Sequence, residues 1–497
     1  MHQDLLLAID QGTTGTTALV MSTSGATVGR FTKEFAQHFP EPGLVEHEPG
    51  EIWESVLASV KGALAAAGVG GDRIAAIGIT NQRETTVVWD RATGEPVHRA
   101  IVWQDRRTSD TCAKLRDDGH QHRVREVTGL VLDPYFSGTK VAWILDNVPG
   151  ARDRAEKGEL QLGTIDSYLV YRLSGAARVH VTDVTNASRT LLMSLATLDW
   201  DPGMLSLLRV PRSMLPKIVG SAEIVARTSG FDPLPDGVPI AGIAGDQQAA
   251  LFGQACFQVG DAKCTYGTGA FVLSNIGPKP ITSRFGLLTT VAWKVGDEVA
   301  FALEGSAFIA GAAVQWLRDG LGIIKSSSEI EALARSVSSS EGVSFVPALS
   351  GLGAPYWDPG ARGVICGITR GTTAAHIARA TLEAIALEVE DLLQAMSDDL
   401  GQPLARMRVD GGAAANDLLM QYQADVARIT IERPAELEST ARGAAMLAGV
   451  GAGLFASPTE AARMSAADRR FRVQMGDDER AAHLARWTDA VRRSRSA

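Results

Sequence analysis

Cysteine is scarce: Cys112, Cys256, Cys264 and Cys366 are the four in 497 residues, and none forms a CxxC pair. No histidine cluster accompanies them, so neither a zinc site nor a disulfide framework is expected, and reduced thiols in a core are. No apolar stretch reaches the roughly 18 residues that a membrane helix needs. The run Leu5–Ile9 is short, has Asp4 and Asp10 on its flanks, and lacks a basic leader, which argues against a signal peptide. A basic excess is also missing: 48 Lys and Arg stand against 57 Asp and Glu, a net charge of −9. That balance disfavours nucleic acid or an anionic membrane as partner. No GxxxxGK[ST] segment occurs, which excludes a P-loop enzyme. The expectation is a soluble cytoplasmic protein.

What is present is the material of a large core. Apolar residues make up 45% and charged residues 21%, a globular balance. The length suits two large domains or three smaller ones. Short apolar runs alternate with helical patterns, the mark of α/β layering. Leu5–Ile9 and Thr17–Met21 read as strands around the turn Gln11-Gly12-Thr13-Thr14-Gly15. Ile74–Ile79, Thr85–Trp89 and Ile101–Trp103 are further runs. In the second half, Ile240–Ala244 ends at Gly245-Asp246. Tyr266-Gly267-Thr268-Gly269 then repeats the first Gly/Thr turn before Phe271-Val272-Leu273. Thr372 and Thr373 are N-cap candidates for a long helix, in which Ile385, Val389, Leu392 and Met396 share one face. Two such turns, about 255 residues apart, imply two related α/β halves, and the seam near 245–260 is a natural ligand cleft. We therefore divide the chain into domains 1–253 and 254–497.

Four elements carry chemistry. The first Gly/Thr turn exposes consecutive N–H groups and hydroxyls, an anion nest for phosphates; beside it, Asp10 can hold Mg²⁺ through water. Alone, the turn is equally an ordinary hairpin; its companion at Gly267 favours the nest. Asp246, at a strand's carboxyl end, can act as general base and touch the metal, or simply cap a helix. Gly411-Gly412-Ala413-Ala414-Ala415-Asn416 leaves room for a flat purine, and Gly311 and Gln315 on a helical pattern can line the same pocket. The small residues Ala441-Arg442-Gly443-Ala444-Ala445 read instead as close helix packing, and Gly449-Val450-Gly451-Ala452-Gly453 as a helix end and loop. Lastly, Arg83, Glu84 and Tyr135 could fix the hydroxyls of a small polyol while Trp103 and Phe271 cover its carbon face. Each of these, taken singly, also fits a surface ion pair or a core aromatic.

The phosphate turn, the central Asp and the late Gly-Gly segment together resemble the actin/hexokinase/heat-shock ATPase superfamily. Within it, the chain resembles the FGGY carbohydrate kinases, most nearly their glycerol-phosphorylating branch. The resemblance covers almost the whole chain. It is carried by Ile77-Gly78-Ile79-Thr80-Asn81-Gln82-Arg83-Glu84-Thr85-Thr86, by Pro134-Tyr135-Phe136-Ser137-Gly138-Thr139-Lys140, by Gly242–Gly253 and by Gly351–Pro359. It implies two ribonuclease H-like domains with a ligand cleft between them, and ATP-dependent phosphorylation of glycerol. Arg83, Glu84, Tyr135 and Asp246 would bind glycerol, with Gln247 adjacent and Trp103 and Phe271 over its carbons. Thr13, Thr14 and Gly15 would meet the phosphates. Thr268, Gly311, Gln315, Gly412 and Asn416 would meet the nucleotide, and Asp10 and Asp246 would lie near Mg²⁺. A homodimer or homotetramer is the family expectation. Other readings are a kinase for xylulose, ribulose or gluconate, and a chaperone-like ATPase without small-molecule turnover.

The sequence also departs from the family pattern. Many members carry Ser-Ser-Arg where this chain has Gly15-Thr16-Thr17, so Thr17 faces the nucleotide side with one hydroxyl and no charge. The loop Thr228–Gly237 has no Arg and two acids, which predicts that sugar-bisphosphate regulation there is absent or altered. Neither a surface for a sugar-transport regulator nor a phosphorylated-His loop is recognisable.

Overall fold

The computed structural model describes residues 4–436 and 438–496; residues 1–3, part of the segment weighed as a leader, lie outside them. Two sheets dominate. The first holds β1 (Leu5–Gln11), β2 (Gly15–Ser22), β3 (Thr27–Glu34), β4 (Ile74–Asn81), β5 (Ala226–Arg227) and β6 (Pro239–Gly245), in the order β5-β6-β4-β1-β2-β3. The second holds β7 (Asp261–Tyr266), β8 (Ala270–Gly277), β9 (Leu288–Val295), β10 (Glu298–Ala307), β11 (Arg406–Asp410), β12 (Thr430–Pro434) and β13 (Ala467–Phe471), in the order β13-β12-β11-β7-β8-β10-β9. The plans match. In each, a hairpin (β1–β2, β7–β8) is extended antiparallel on one side. On the other side two parallel strands follow, then an antiparallel edge. The second sheet adds one strand, β9. The two-domain α/β expectation from the repeated turns is met.

The helices that matter for the site are α1 (Pro49–Ala67), α2 (Asp246–Gly253), α3 (Gly311–Asp319), α4 (Ala374–Leu400), α5 (Asp417–Ala427), α6 (Ser439–Gly451) and α7 (Asp477–Ser494). Strand β1 shows why layers form. Leu5, Leu7 and Ile9 point into a cluster with Ile52, Val56 and Val60 of α1. Leu6 and Ala8 point the other way, into a cluster with Ala444, Ala445 and Met446 of α6. Both faces are covered, so the strand reads as an unbroken apolar run. Each Val, Leu or Ile so buried contributes about 1.5–3 kcal/mol before ordering entropy.

Helix α6 comes from the C-terminal half yet lies across the first sheet, and small residues explain how. A side chain on Gly242 would press on Ala448 and Leu447, and one on Gly443 on Ala249 and Gly253 of α2. The α2–α6 pair thus closes the seam at backbone distance, as the Ala441–Ala445 pattern implied. The helix end expected at Gly449–Gly453 falls in the second half of that segment, with Ala452 as C-cap. Gly449 and Gly451 are helical, packed under Phe455 and against Ala241, and the left-handed exit falls at Gly453, φ 76°. Helix α4 begins as expected: Thr373 is its N-cap and completes a capping box with His376. Among the described residues, no helix is long and apolar enough to cross a membrane.

Candidate active site

The carboxyl end of β4 delivers the charged cluster. Arg83 and Glu84 follow it and are 3% and 1% exposed. Glu84 is left-handed, φ 62°, a conformation costing roughly 1–3 kcal/mol outside glycine. Its carbonyl oxygen accepts from Ser137 Oγ at 2.8 Å and Thr86 Oγ1 at 2.9 Å, which hold the turn. The carboxyl end of the neighbouring β6 delivers Asp246. It is the first residue of α2, and the N-cap is Gly245, so Asp246 is not itself the cap. A side chain on Gly245 would sit 2.7 Å from Arg83 Cγ, so glycine there lets the arginine stem cross. Asp246 Oδ1 accepts from Gln247 N at 2.7 Å and stands 3.2 Å from Arg83 Nε. The Asp246 side chain is 33% exposed against 2% for Arg83: the carboxylate looks into the cleft and the guanidinium backs it.

Tyr135 and Trp103 complete this side. Arg83 Nη2 donates to Tyr135 Oη at 3.3 Å, and the Tyr135 and Trp103 rings meet edge to face at 5.6 Å. Trp103 Nε1 donates to Thr13 Oγ1 at 2.9 Å, which links the polyol candidates to the first Gly/Thr turn. In that turn Gly12 N donates to Gly15 O at 2.9 Å, and Thr14 is exposed. Asp10 is the penultimate residue of β1, opposite Thr17, whose hydroxyl pairs with Thr32 Oγ1 at 2.9 Å. On the same face Arg30 of β3 binds Glu438 at 2.9 Å, a cation on the strand beside the one where the family pattern places it.

The second lobe answers with small residues. Gly267 N donates to Gly269 O at 2.9 Å, closing the second turn. Helix α3 starts against it: Gly311 N donates to Gly267 O at 3.0 Å, and Ala310 N and Ala312 N donate to Thr268 O. Gly311 therefore opens the helix instead of interrupting it, and a side chain there would lie 2.6 Å from Gly267 O. Gln315, one turn along, is exposed. Gly411, φ 85°, lets the loop after β11 press on Tyr266. Gly412 is exposed and Asn416 caps α5, its Oδ1 accepting from Leu419 N at 3.0 Å. Two separate segments, the start of α3 and the loop after β11, thus converge on the Tyr266–Gly269 turn. Phe271, on β8, lies diagonal to Glu304 of β10 on the face that meets the first lobe.

Comparison with known proteins accords with this geometry. The N-terminal domain of the FGGY family of carbohydrate kinases matches residues 5–253, and its C-terminal domain matches 262–452. The chain belongs to the FGGY family of carbohydrate kinases. A glycerol kinase of Myxococcus xanthus is 57% identical over 98% of this chain and 99% of its own length. One of Deinococcus radiodurans is 56% identical over 99% and 98%. Among solved structures, the glycerol kinase of Plasmodium falciparum with ADP superposes with a TM-score of 0.93 at 36% identity, covering 99% of this chain and 98% of that one. A xylulose kinase of Lactobacillus acidophilus, at 21% identity, shares the fold with a TM-score of 0.88 over 98% and 96%.

The cleft of this FGGY kinase also holds charged groups that the sequence reading missed. Arg189 and Glu304 are buried beside Arg83, and Lys263 is buried behind Asp246. Lys263 Nζ donates to Gln247 Oε1 and, at 3.0 Å, to Thr265 Oγ1. Burial holds its pKa below the lysine range, against the pull of Asp410 and Asp246. Lys140 Nζ donates to Tyr135 O at 2.9 Å and Trp103 O at 3.4 Å, so one ammonium ties both aromatic segments; burial draws its pKa down to about 7. No local signal marks Arg189 or Glu304 in the sequence, because what buries them is their pairing with each other and with Arg83 and Glu84.

Two acids face the cleft without enough positive charge. Burial, then the charge of Asp246, pushes the Asp10 pKa up to about 8. Burial also raises that of Asp246, opposed by Arg83, the Gln247 N–H and Lys263. Asp410 Oδ1 is buried without a partner. No set of three His, Cys, Asp or Glu side chains gathers for a metal among the described residues. This donor set fits Mg²⁺, which takes one or two carboxylates and fills its shell with phosphate oxygens and water.

Proposed function

We propose that this chain is a glycerol kinase, transferring the terminal phosphoryl group of ATP to glycerol to give sn-glycerol 3-phosphate. The observation that carries the reading is the Arg83–Asp246 pair at the carboxyl ends of adjacent strands, in a chain 57% identical over nearly its whole length to a glycerol kinase. In this scheme Asp246 accepts the proton of a terminal hydroxyl as that oxygen approaches the phosphorus in line. Arg83, Glu84 and Tyr135 hold the other hydroxyls, so one primary hydroxyl is presented. Trp103 and Phe271 cover the carbons. The N–H groups and hydroxyls of Thr13, Thr14, Gly15 and Thr17 meet the phosphates, and Thr268, Gly311, Gln315, Gly412 and Asn416 meet the rest of the nucleotide. Asp10 and Asp246 would hold Mg²⁺, which offsets charge on the phosphoryl oxygens when bound. Positioning and electrostatics supply most of the rate in such transfers.

Residues 1–253 then carry the glycerol site and the phosphate turn and residues 254–497 the nucleotide site, and the enzyme works in the cytoplasm as a homodimer or homotetramer. A coupled ADP-release assay tests it. Glycerol should give the highest kcat/KM in a panel with xylulose, ribulose and gluconate. A pentulose or gluconate above glycerol would overturn the substrate assignment, and ATP hydrolysis that no panel member stimulates would overturn the kinase.

A further inference from the structure

Glu304 has no part in the scheme above, yet it organises the charges that do. It sits on β10 of the second lobe and is 1% exposed. Its Oε2 accepts from Arg83 Nη1 at 2.6 Å; its Oε1 accepts from Arg83 Nη2 and from Arg189 Nη2, both at 3.0 Å. Arg189 in turn donates Nε to Glu84 Oε1 at 2.7 Å. What remains of Arg83 is Nε, 3.2 Å from Asp246 Oδ1 and 3.8 Å from Glu84 Oε1. Both prongs of Arg83 are therefore engaged by Glu304 of the second lobe, with longer bonds of 3.3 Å to Tyr135 Oη and Gln248 Oε1 of the first, and a single N–H is left for Asp246. Were the fork free, it would take Asp246 in a bidentate pair, the stronger geometry for arginine and carboxylate. Arg189 cannot replace Glu304, because it carries the same charge as Arg83.

We propose that Glu304 is a positioning residue for phosphoryl transfer. It draws the Arg83 fork and Arg189 to one side, fixes the groups that meet the substrate hydroxyls, and keeps Asp246 from being captured by Arg83. Because Glu304 is 221 residues from Arg83 and belongs to the other sheet, the grip on the substrate depends on the second lobe being in place. This rests on reading Arg83 and Asp246 as substrate-binding groups. An ion pair that merely holds the lobes together would contribute to folding and leave substrate affinity alone.

Steady-state kinetics on the full chain separate the two. Glu304→Gln should raise KM for glycerol at least about tenfold, the scale of losing a hydrogen bond to a charged group, with KM for ATP within about twofold. Glu304→Asp keeps the charge and should bring KM for glycerol most of the way back. An unchanged KM for glycerol in Glu304→Gln, or equal losses in the Asp and Gln variants, overturns the proposal. If Glu304→Gln does not fold, Arg189→Lys carries the test. One ammonium cannot serve Glu84 and Glu304 as the guanidinium does, so KM for glycerol should rise about fivefold or more; an unchanged value overturns the proposal. If the parent phosphorylates another panel compound and not glycerol, the substrate assignment has failed, and the same comparison on that compound's KM still decides the role of Glu304.

Discussion

The two lobes place opposite chemistry at the same point of the same plan. Strand β4 of the first sheet and β11 of the second are each the parallel neighbour of the first hairpin strand. At its carboxyl end β4 hands over to Asn81-Gln82-Arg83-Glu84, and β11 to Asp410-Gly411-Gly412-Ala413. One end is charged and almost wholly buried; the other is small, with Gly412 exposed. The turns differ in the same sense. The first is anchored by side chains, through Trp103 to Thr13 and Gln82 to Gly12; the second is anchored by the backbone N–H groups of α3. A polyol offers several hydroxyls in fixed directions and calls for ionised partners, whereas a flat base calls for space. The shared topology supplies two strand ends, and the residues after each decide which ligand it suits.

The strongest way to break this division is to neutralise the base on the charged side. Asp246→Asn should cut kcat by about 10³-fold or more, the upper range for a general base, with the thermal transition little changed, since Asp246 is a third exposed. A variant turning over within tenfold of the parent would remove Asp246 from the role. On the small-residue side, Gly311→Ala puts a methyl 2.6 Å from Gly267 O and must displace the second turn. KM for ATP should rise about tenfold, as expected when one or two turn hydrogen bonds are lost, with KM for glycerol unchanged. Equal rises in both constants would mean that the lobes do not divide the substrates.

Much of this arrangement is legible from local pattern. The Gly/Thr turns, the apolar strands leading into Asp246 and Arg83, and the Thr373 cap each lie within a few residues of the signal that marks them. Gly311 stands out in the sequence for the wrong local reason, because a glycine that opens a helix and one inside it look alike when the contact it serves lies some 40 residues away at Gly267. Arg189 and Glu304 are not legible. Their partners are 105 to 221 residues distant, and a buried charge differs from a surface one only through such partners.

A gentler cut across the two sides is Trp103→Phe. It keeps the ring against Tyr135 and removes the hydrogen bond to Thr13. The loss of one such bond, about 1 kcal/mol, should raise KM for both glycerol and ATP about fivefold, because the indole touches the polyol groups and the phosphate turn together. A change confined to glycerol would show that the first turn holds its shape without Trp103.

The smallest effect on catalysis is expected far from the cleft, where burial acts without partners. Two glutamates of the second lobe lie in opposite electrostatic settings. Burial raises the pKa of Glu304, but Arg189 and Arg83 overcome this and hold it at about 2. Glu388 on α4 has burial and the nearby Asp391 acting together, and its pKa is pushed up to about 8; its Oε2 is buried without a hydrogen bond. Below the ordinary glutamate value, near 4.5, both folded and unfolded chains carry the proton and Glu388 adds no pH dependence. As pH rises from there to about 8, the unfolded chain loses the proton while the folded one keeps it, so stability falls through that window and levels off above it. Glu388→Gln should therefore raise Tm by about 2 °C at pH 8 and by much less at pH 5, with kcat and both KM values unchanged. Thermal melts at the two pH values decide it. An equal gain at both would mean that the amide merely packs better than the carboxyl group, whereas a loss at pH 8 would mean that the carboxylate is satisfied and that burial alone does not separate the structural acids of this lobe from those that serve the cleft.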